Sequence, residues 1–541
     1  MPQASQFTVG LYQAEVRHLH NPPHLGSALF IADLERAGFR VDRALVNIGH
    51  IDALADRIAE RGVDLAAIDS NFRVAEVNRL KERNPGVPIV IGNSNALQLL
   101  LASDADYAVA GPGRRAMVAL ARALESGGQI EGVPNLFLRA PSGEIDHTGV
   151  EVPWEIEGEL LPFEPDLEWD YLGPEREPGS DIAFVSVVPE LGCSYNTPAS
   201  RNSLFKGLPE EPAAERSAPG EPPLTERAFR VVERLYLDEM RGCSFCIFRF
   251  QPYVTPAVER SVDLVRGQLA YLTRRYGITT VAVQSEHPFR FLVPLLEMIT
   301  REFPGIREIH LRTLPKLLIH GRKPLEAGLE MARDRGVKLG LVGLGFESFH
   351  QGALDRFNKG IQVAENLDAL EILSEIHRRF GPETVDPFHG HGLILFHPWT
   401  TPEELLENLR VVETHPFLIP SFTIDSRLTI DSRFQSIYFL ARRDGAVAGG
   451  KGEYGWDFHH LDPRIPPLID AFRRLSRILR LDLDGRPSLG GAERRTLYRQ
   501  GNFTILARLI RIAALKGKES PSLTPGEERE LGELIARLTG R

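Results

Sequence analysis

The 541-residue chain has only three cysteines, Cys193, Cys243 and Cys246. An odd, sparse set in a chain of this length excludes a disulfide framework and points to thiolate ligands or buried thiols. Basic residues are also in deficit: the formal charge is −10, the reverse of the surplus that a general nucleic-acid binder carries. No apolar run is long enough to span a bilayer. The first residues, MPQASQFTVGLYQAEVRH, lack the charged head and apolar stretch of a secretory signal, so the expectation is a cytoplasmic protein with no membrane or nucleic-acid partner. No internal repeat is visible. What remains is a composition ordinary for globular proteins, in a chain too long for one core, so two or three domains are expected.

From 7 to 125, short apolar runs (FTVGLY, VDRALV, DLAAID, VPIVIG, YAVAG) alternate with helical patterns such as LGSALFIADLERAG. That alternation predicts an α/β, doubly wound, Rossmann-like parallel sheet over 1–130, with its ligand site at the carboxyl ends of the strands. Residues 131–181 turn to Pro, Gly and acidic residues and are expected to form a linker. A second alternation follows over 182–430. Its strand candidates are IAFVSV (182–187), ITTVAV (278–283), IHLRT (309–313), KLGLVGL (338–344), GLILF (392–396) and FTI (422–424). About six β/α units predict a partial (β/α)6 barrel with chemistry at the strand C-termini. In the segment between the first two, Val258, Val262, Val265, Leu269 and Leu272 recur at helical spacing. Residues 431–541 look mainly helical.

The cysteines are divided between the first barrel unit, IAFVSVVPELGCSYN, and RGCSFCIF. Removing 197–242 joins GCSYN to CSFC and produces Cys-x3-Cys-x2-Cys. The removable piece has the character of an insertion: a Pro-rich acidic stretch, LPEEPAAERSAPGEPP, then LTERAFRVVERLYLDEM, a helix with Ala228, Val231 or Val232, and Leu235 on one face. A long insertion is tolerated if its ends meet, because loop-closure entropy grows slowly with length. Three thiolates on a [4Fe–4S] core leave one iron open to a further ligand. Taken alone, the C-x2-C pair equally fits a zinc knuckle or two unrelated thiols; against zinc, the chain has no fourth cysteine and no H-x3-H pair follows.

The stretch KLGLVGLGFESFHQGALDRFNKGIQVAENLDALEILSEI resembles the fourth strand and following helix of radical S-adenosylmethionine (SAM) enzymes that carry a cobalamin-binding N-terminal domain, the class B methyltransferase-like group. Gly345, Glu347, Ser348, Leu354, Asn358, Lys359 and Gly360 carry the likeness. It implies that Cys193, Cys243 and Cys246 hold a [4Fe–4S] cluster, and that Glu347, with Ser348 beside it, lies near the ribose hydroxyls of SAM. Taken alone, Glu347 would equally suit a helix start. VAVQSEHPF ends the second strand where the family places groups for the methionine amino group, which makes Glu286 the candidate, although Gln284-Ser285-Glu286-His287 departs from the family pattern. HGHGLILFHPWTTPEELLENLRVV resembles the fifth strand and its helix, with His397 before Pro398 where a Gly-Pro turn is usual. The resemblance covers about 182–430.

Over about 7–130 the chain resembles the family's cobalamin-binding fold. PPHLGSALFIADLERAGFRV, IVIGNSNALQ and VAGPGRRAMVAL carry this part. Gly92, Asn93, Gly111 and Gly113 are the candidates for close approach to a corrin or its nucleotide tail. The D-x-H-x-x-G cobalt-ligand motif is absent; His18, His20 and His24 lie in the first loop, and His24 is the candidate there if any histidine contacts the cofactor. The resemblance implies SAM, a [4Fe–4S] cluster and cobalamin as cofactors, a small-molecule substrate, and an electron donor such as flavodoxin or ferredoxin. The expected activity is methyl transfer to an unactivated carbon. A radical rearrangement or cyclisation without methyl transfer, and a non-catalytic protein with a degenerate cluster site, are the alternatives.

Overall fold

The computed structural model describes residues 6–14, 25–93, 95–152, 185–190, 192–195, 197–208, 221–237, 240–246, 255–275, 277–452, 455–486 and 490–538. The N-terminal unit is a seven-stranded sheet of β1 (Thr8–Ala14), β2 (Arg40–Val46), β3 (Leu65–Asp69), β4 (Ile89–Gly92), β5 (Tyr107–Val109), β6 (Leu136–Arg139) and β7 (Ile145–His147), in the order β2-β1-β3-β4-β5-β6-β7. The first five strands are parallel; the apolar runs of β1, β3, β4 and β5 suit strands covered on both faces, while β2, RVDRALV, is the half-buried edge. Helices Leu25–Arg36, Ile51–Glu60, Val74–Arg83, Ala96–Ala102 and Arg114–Glu125 provide that cover. Strand order reverses at β1, so the crevice of this sheet opens at the carboxyl ends of β1 and β3, where Ala14 and Asp69 lie.

The sheet runs further than the sequence indicated. β6 and β7 add antiparallel to β5, inside the stretch expected to be linker from 131. Their signal is short, but Phe137 and Ile145 are fully buried and fix the pair to the core. The remainder of the expected linker, from 153, lies outside the described residues.

The second unit is a five-stranded parallel sheet of β8 (Val185–Val187), β9 (Thr280–Val283), β10 (Glu308–Arg312), β11 (Lys338–Val342) and β13 (Val385–His389), ordered β13-β11-β10-β9-β8. The ladder between its fourth and fifth strands breaks at Gly343 and Gly390, whose φ values of +66° and +63° suit glycine. It resumes as the parallel pair β12 (Gly345–Glu347) and β14 (Gly392–Leu393). The sequence VDPFH forms β13 although it contains Pro387; as the edge of the sheet it tolerates a residue without an N–H. The expected strand at 422–424 does not form. A 3-10 turn with Pro416 and Pro420 precedes it, and the sixth position is marked only by a single parallel bridge, Phe396 to Arg427.

Helix Val258–Arg275 covers this sheet with the face its spacing predicts: Val262, Val265, Leu269 and Leu272 are in the core and Val258 packs at its margin. Leu11, Leu29 and Ile31 of the first unit belong to the same core cluster. Beyond 431 come helix Ser436–Arg443, a hairpin of β15 (Val447–Gly452) and β16 (Gly455–Phe458), and helices Ile465–Asp484, Gly491–Ala514 and Pro525–Leu538. Among the described residues, no helix is long and apolar enough to cross a membrane.

Candidate functional site

The loop after β8 carries Cys193, and the chain then departs on the excursion that separates it from Cys243 and Cys246. The ends of that excursion are joined. The Gly242 N–H donates to the Thr197 carbonyl at 2.9 Å, the Ala199 N–H donates to the Met240 carbonyl at 2.6 Å, and Pro198 and Arg241 form an antiparallel bridge. The excursion therefore leaves and returns at one place, as Cys-x3-Cys-x2-Cys with an insertion requires. A glycine precedes each cysteine segment, and both Gly192 and Gly242 have left-handed φ, +78° and +73°, which turns the chain sharply into each thiol. Cys243 and Cys246 close a tight turn, with the Cys246 N–H on the Cys243 carbonyl at 3.1 Å.

The excursion itself folds onto the N-terminal sheet. Leu224 bridges to Ile145 in parallel, Thr225 caps helix Glu226–Val232 through the Ala228 N–H at 3.2 Å, and Ala228, Phe229, Val231 and Val232 enter that sheet's core. Leu235, expected on the same face, is 37% exposed. The helix widens into a π turn over Glu233–Leu237, which rotates the later residues off the face.

Burial pushes the Cys193 thiol up to about 11, with the Glu286 carboxylate adding to it, and pushes Cys243 up to about 12 against the favourable charge of Lys359. Cys246 adds to the rise at both thiols, Cys193 adds to it at Cys243, and Lys359 opposes it at both. Among the described residues, no three His, Cys, Asp or Glu side chains close around a single metal ion. A cubane seats each thiolate on a different iron, so its ligands stand wider apart than those of one ion.

Two carboxylates flank the thiols. Glu286 follows β9; its Oε1 lies 3.1 Å from Arg312 Nε, and its Oε2 is buried with no hydrogen-bond partner among the described residues. A buried carboxylate oxygen without a donor is costly unless a ligand supplies one. Glu347 ends β12 with a φ of +60°, a left-handed conformation rare for a non-glycine residue, held by the Ile394 N–H on its carbonyl at 2.7 Å. Its carboxylate lies against Gly345 and Gly392, and Oε1 accepts from Lys359 Nζ at 2.9 Å in a buried pair. Ser348 has a different role from the one expected. Its fully buried hydroxyl accepts from the His350 N–H at 3.1 Å and from Asn408 Nδ2 at 3.2 Å, which ties the turn to helix Pro402–Thr414.

The Asn358-Lys359-Gly360 turn stitches the cysteine segments together, a role its motif did not reveal. Asn358 Nδ2 donates to the carbonyl of Gly242, before Cys243, at 2.8 Å. The Asn358 carbonyl accepts from the Tyr195 hydroxyl, two residues after Cys193, at 2.7 Å. Ser244, between the other two cysteines, is fully buried and bonds the Phe357 and Arg356 carbonyls, both at 2.8 Å.

In the N-terminal unit the candidate glycines divide. Gly92 ends β4 beside Asp69 of β3, a side chain there would meet no described residue within 4 Å, and Asn93 follows with φ +82°. Among the described residues this edge is left open. Gly111 and Gly113 are explained by packing instead: a Cβ at Gly113 would stand 2.8 Å from the Phe30 ring, and Gly111, at φ +130°, abuts Asn135. Asp69, which the sequence reading passed over as the end of DLAAID, is pushed up to about 6 by burial against the opposing hydrogen bonds from Asn71. His18, His20 and His24 lie outside the described residues. This edge is coupled to the cysteine turn. In the helix that begins just after Asn93, Gln98 donates to Glu221 at 2.8 Å and accepts from the Arg433 N–H at 3.3 Å. Arg433 pairs with Glu221 in a buried ion pair, Gln435 Nε2 donates to the Phe245 carbonyl at 2.9 Å, and the Ile437 N–H donates to the Ser244 carbonyl at 3.2 Å.

No family model and no curated protein match this sequence. Solved structures do. The cobalamin-dependent S-adenosylmethionine radical enzyme OxsB with aqua-cobalamin bound is similar to 99% of this chain and 80% of its own, with a TM-score of 0.62 at 12% identity. OxsB with aqua-cobalamin and S-adenosylmethionine bound is similar at a TM-score of 0.58 and 13% identity, over 99% of this chain and 76% of its own. The radical S-adenosylmethionine methyltransferase TsrM from Kitasatospora setae matches 75% of this chain and 71% of its own, with a TM-score of 0.47 and 16% identity. The α/β layout of a doubly wound domain followed by a partial barrel and C-terminal helices is thus shared with OxsB along the whole chain.

Proposed function

We propose that this chain is a radical SAM enzyme whose Cys193, Cys243 and Cys246 hold a [4Fe–4S] cluster and whose N-terminal domain binds cobalamin. The activity that suits these parts is methyl transfer to an unactivated carbon of a small molecule. One observation carries the reading: the 197–242 excursion is closed at its base, so a three-cysteine turn follows the first barrel strand, flanked by Glu286 and Glu347. Held by Cys193, Cys243 and Cys246, such a cluster would leave one iron open for the amino and carboxylate groups of SAM to chelate and would supply the electron that splits its carbon–sulfur bond.

The chain's own groups fit that cofactor. The Oε2 of Glu286, without a donor among the described residues, is an acceptor for an N–H of the methionine amino group, and Arg312 orients the carboxylate from its other oxygen. Glu347 offers its remaining oxygen to the ribose hydroxyls while Lys359 fixes the first. Phe245, within the cysteine turn, packs edge to face on Phe357 at 5.5 Å and so anchors the turn to the Asn358-Lys359-Gly360 segment.

For cobalamin, the open Gly92–Asn93 edge and the chain of contacts from Gln98 to Phe245 support a corrin set opposite the cysteine turn. The likeness to OxsB, reported with aqua-cobalamin, supports the same assignment. With no D-x-H-x-x-G motif, the cofactor is expected base-off. An electron donor of the flavodoxin or ferredoxin class completes the scheme. Purification with hydroxocobalamin followed by an absorption spectrum tests the reading, with a retained base-off corrinoid expected. Loss of all cobalamin while SAM cleavage persists would remove methyl transfer and favour rearrangement.

A further inference from the structure

Lys359 is a buried ammonium in a pocket that otherwise gathers negative charge. Its Nζ lies 2.9 Å from Glu347 Oε1, with the two side chains only 6% and 12% exposed. The space is made for this pair: a Cβ at Gly345 would stand 3.0 Å from Lys359 Nζ and closer still to the carboxylate. The face of Phe245, between Cys243 and Cys246, lies 6.0 Å from the ammonium. The lysine's backbone is fixed as firmly as its head, because its N–H donates to the Leu354 carbonyl at 3.0 Å and Asn358 before it is bonded to Gly242 and Tyr195. A single carboxylate would neutralise the lysine alone. The buried pair at 2.9 Å offsets the cost of burying the ammonium, and the Glu286 carboxylate acts on it in the same sense.

We propose that Lys359 is a positioning residue with two anionic partners: it clamps one oxygen of Glu347, and its charge offsets that of the cluster held at Cys243 and so favours the cluster's reduced state. The proposal rests on the reading of the three cysteines as cluster ligands. With three thiolates bound, an oxidised [4Fe–4S]2+ core carries net negative charge. One electron from an external donor, a flavodoxin or ferredoxin in the scheme above or dithionite in a test, adds one more unit. A fixed cation beside the cysteine turn, in a medium of low effective dielectric, would stabilise the more negative state preferentially. Lysine suits the role because it is a compact charge with three donors.

The test compares Lys359→Met, Lys359→Arg and Glu347→Gln, each reconstituted anaerobically and titrated with dithionite while the reduced cluster is followed by electron paramagnetic resonance. Lys359→Met is expected to reduce at least about tenfold less readily at fixed potential, a midpoint about 59 mV more negative. Lys359→Arg should restore most of the difference. Glu347→Gln, which frees the lysine charge and keeps the side chain's size, should shift the midpoint the opposite way. If Lys359→Met fails to hold iron, the Glu347→Gln shift and retention of iron by Lys359→Arg still support the proposal. An unchanged midpoint in Lys359→Met, equal shifts in the Met and Arg variants, or no shift in Glu347→Gln would overturn it. A wild-type protein that assembles no cluster at all would instead refute the reading of the cysteines.

Discussion

Replacing Glu286 by glutamine removes one charge from a carboxylate whose two oxygens stand in different surroundings. Oε1 faces Arg312, whose side chain is 51% exposed, so that ion pair is screened and worth at most about 1 kcal/mol to the fold. Oε2 is buried with no donor among the described residues, so its removal costs the free protein little. The effect should appear in SAM binding. A hydrogen bond from the methionine amino group to the charged carboxylate is worth about 1.5–3 kcal/mol, a loss of roughly 12- to 150-fold in affinity. Equilibrium binding of SAM to the cluster-loaded variant measures this, with iron content as the control and expected unchanged. A second readout needs no cofactor. Glu286 adds to the burial that pushes the Cys193 thiol up to about 11, so the variant's thiol should ionise at lower pH, visible as faster alkylation of the cluster-free protein. SAM affinity within twofold of wild type would refute the assignment of Glu286.

Glu347→Ala would leave Lys359 buried without its carboxylate and should lower stability by about 3–5 kcal/mol in denaturant unfolding, in addition to weakening SAM binding; an unfolding curve like wild type would show that the pair is not isolated from water. Alanine at Cys193, Cys243 or Cys246 should abolish the brown chromophore while far-ultraviolet circular dichroism stays unchanged, because none of the three lies in a hydrophobic core cluster. His147 is held down to about 4, chiefly by burial and then by Arg227, so its contribution to stability is complete above its unfolded value of about 6.5 and is lost as pH falls towards 4. Wild type should therefore lose about 2 kcal/mol between pH 7.5 and pH 5 that His147→Gln does not, and parallel pH profiles would contradict it.

The sequence exposed those parts of the molecule that rest on periodicity and spacing. The five parallel strands of the first sheet, the face of helix Val258–Arg275, and the point at which the cysteine spacing is interrupted were all legible. What escaped depends on tertiary context. β13 was hidden by Pro387, which only an edge position accommodates, and β6 and β7 were too short to stand out before Phe137 and Ile145 found a core. At 422–424 an apolar triplet had strand character, but the preceding turn delivers the chain to its pairing position late, at Arg427. In the site, Glu286 and Glu347 could be picked out only through the resemblance, which implies ligand groups at these two strand ends. Lys359 stood in the motif without a role, and Tyr195 stood out not at all, since its partner Asn358 lies far along the chain. Gly113 shows the converse error: a glycine that looked made for a ligand is required by a phenylalanine ring.

The central claim is that three cysteines separated by an insertion form one site that cleaves SAM. Its most direct test is anaerobic reconstitution with iron and sulfide, then incubation with SAM and dithionite, and measurement of 5′-deoxyadenosine beside the cluster spectrum. The account predicts a [4Fe–4S] signal and deoxyadenosine from the wild-type chain, and neither from Cys193→Ala, whose thiol lies on the far side of the insertion from the other two. A folded Cys193→Ala protein with wild-type cluster content and deoxyadenosine formation would contradict it.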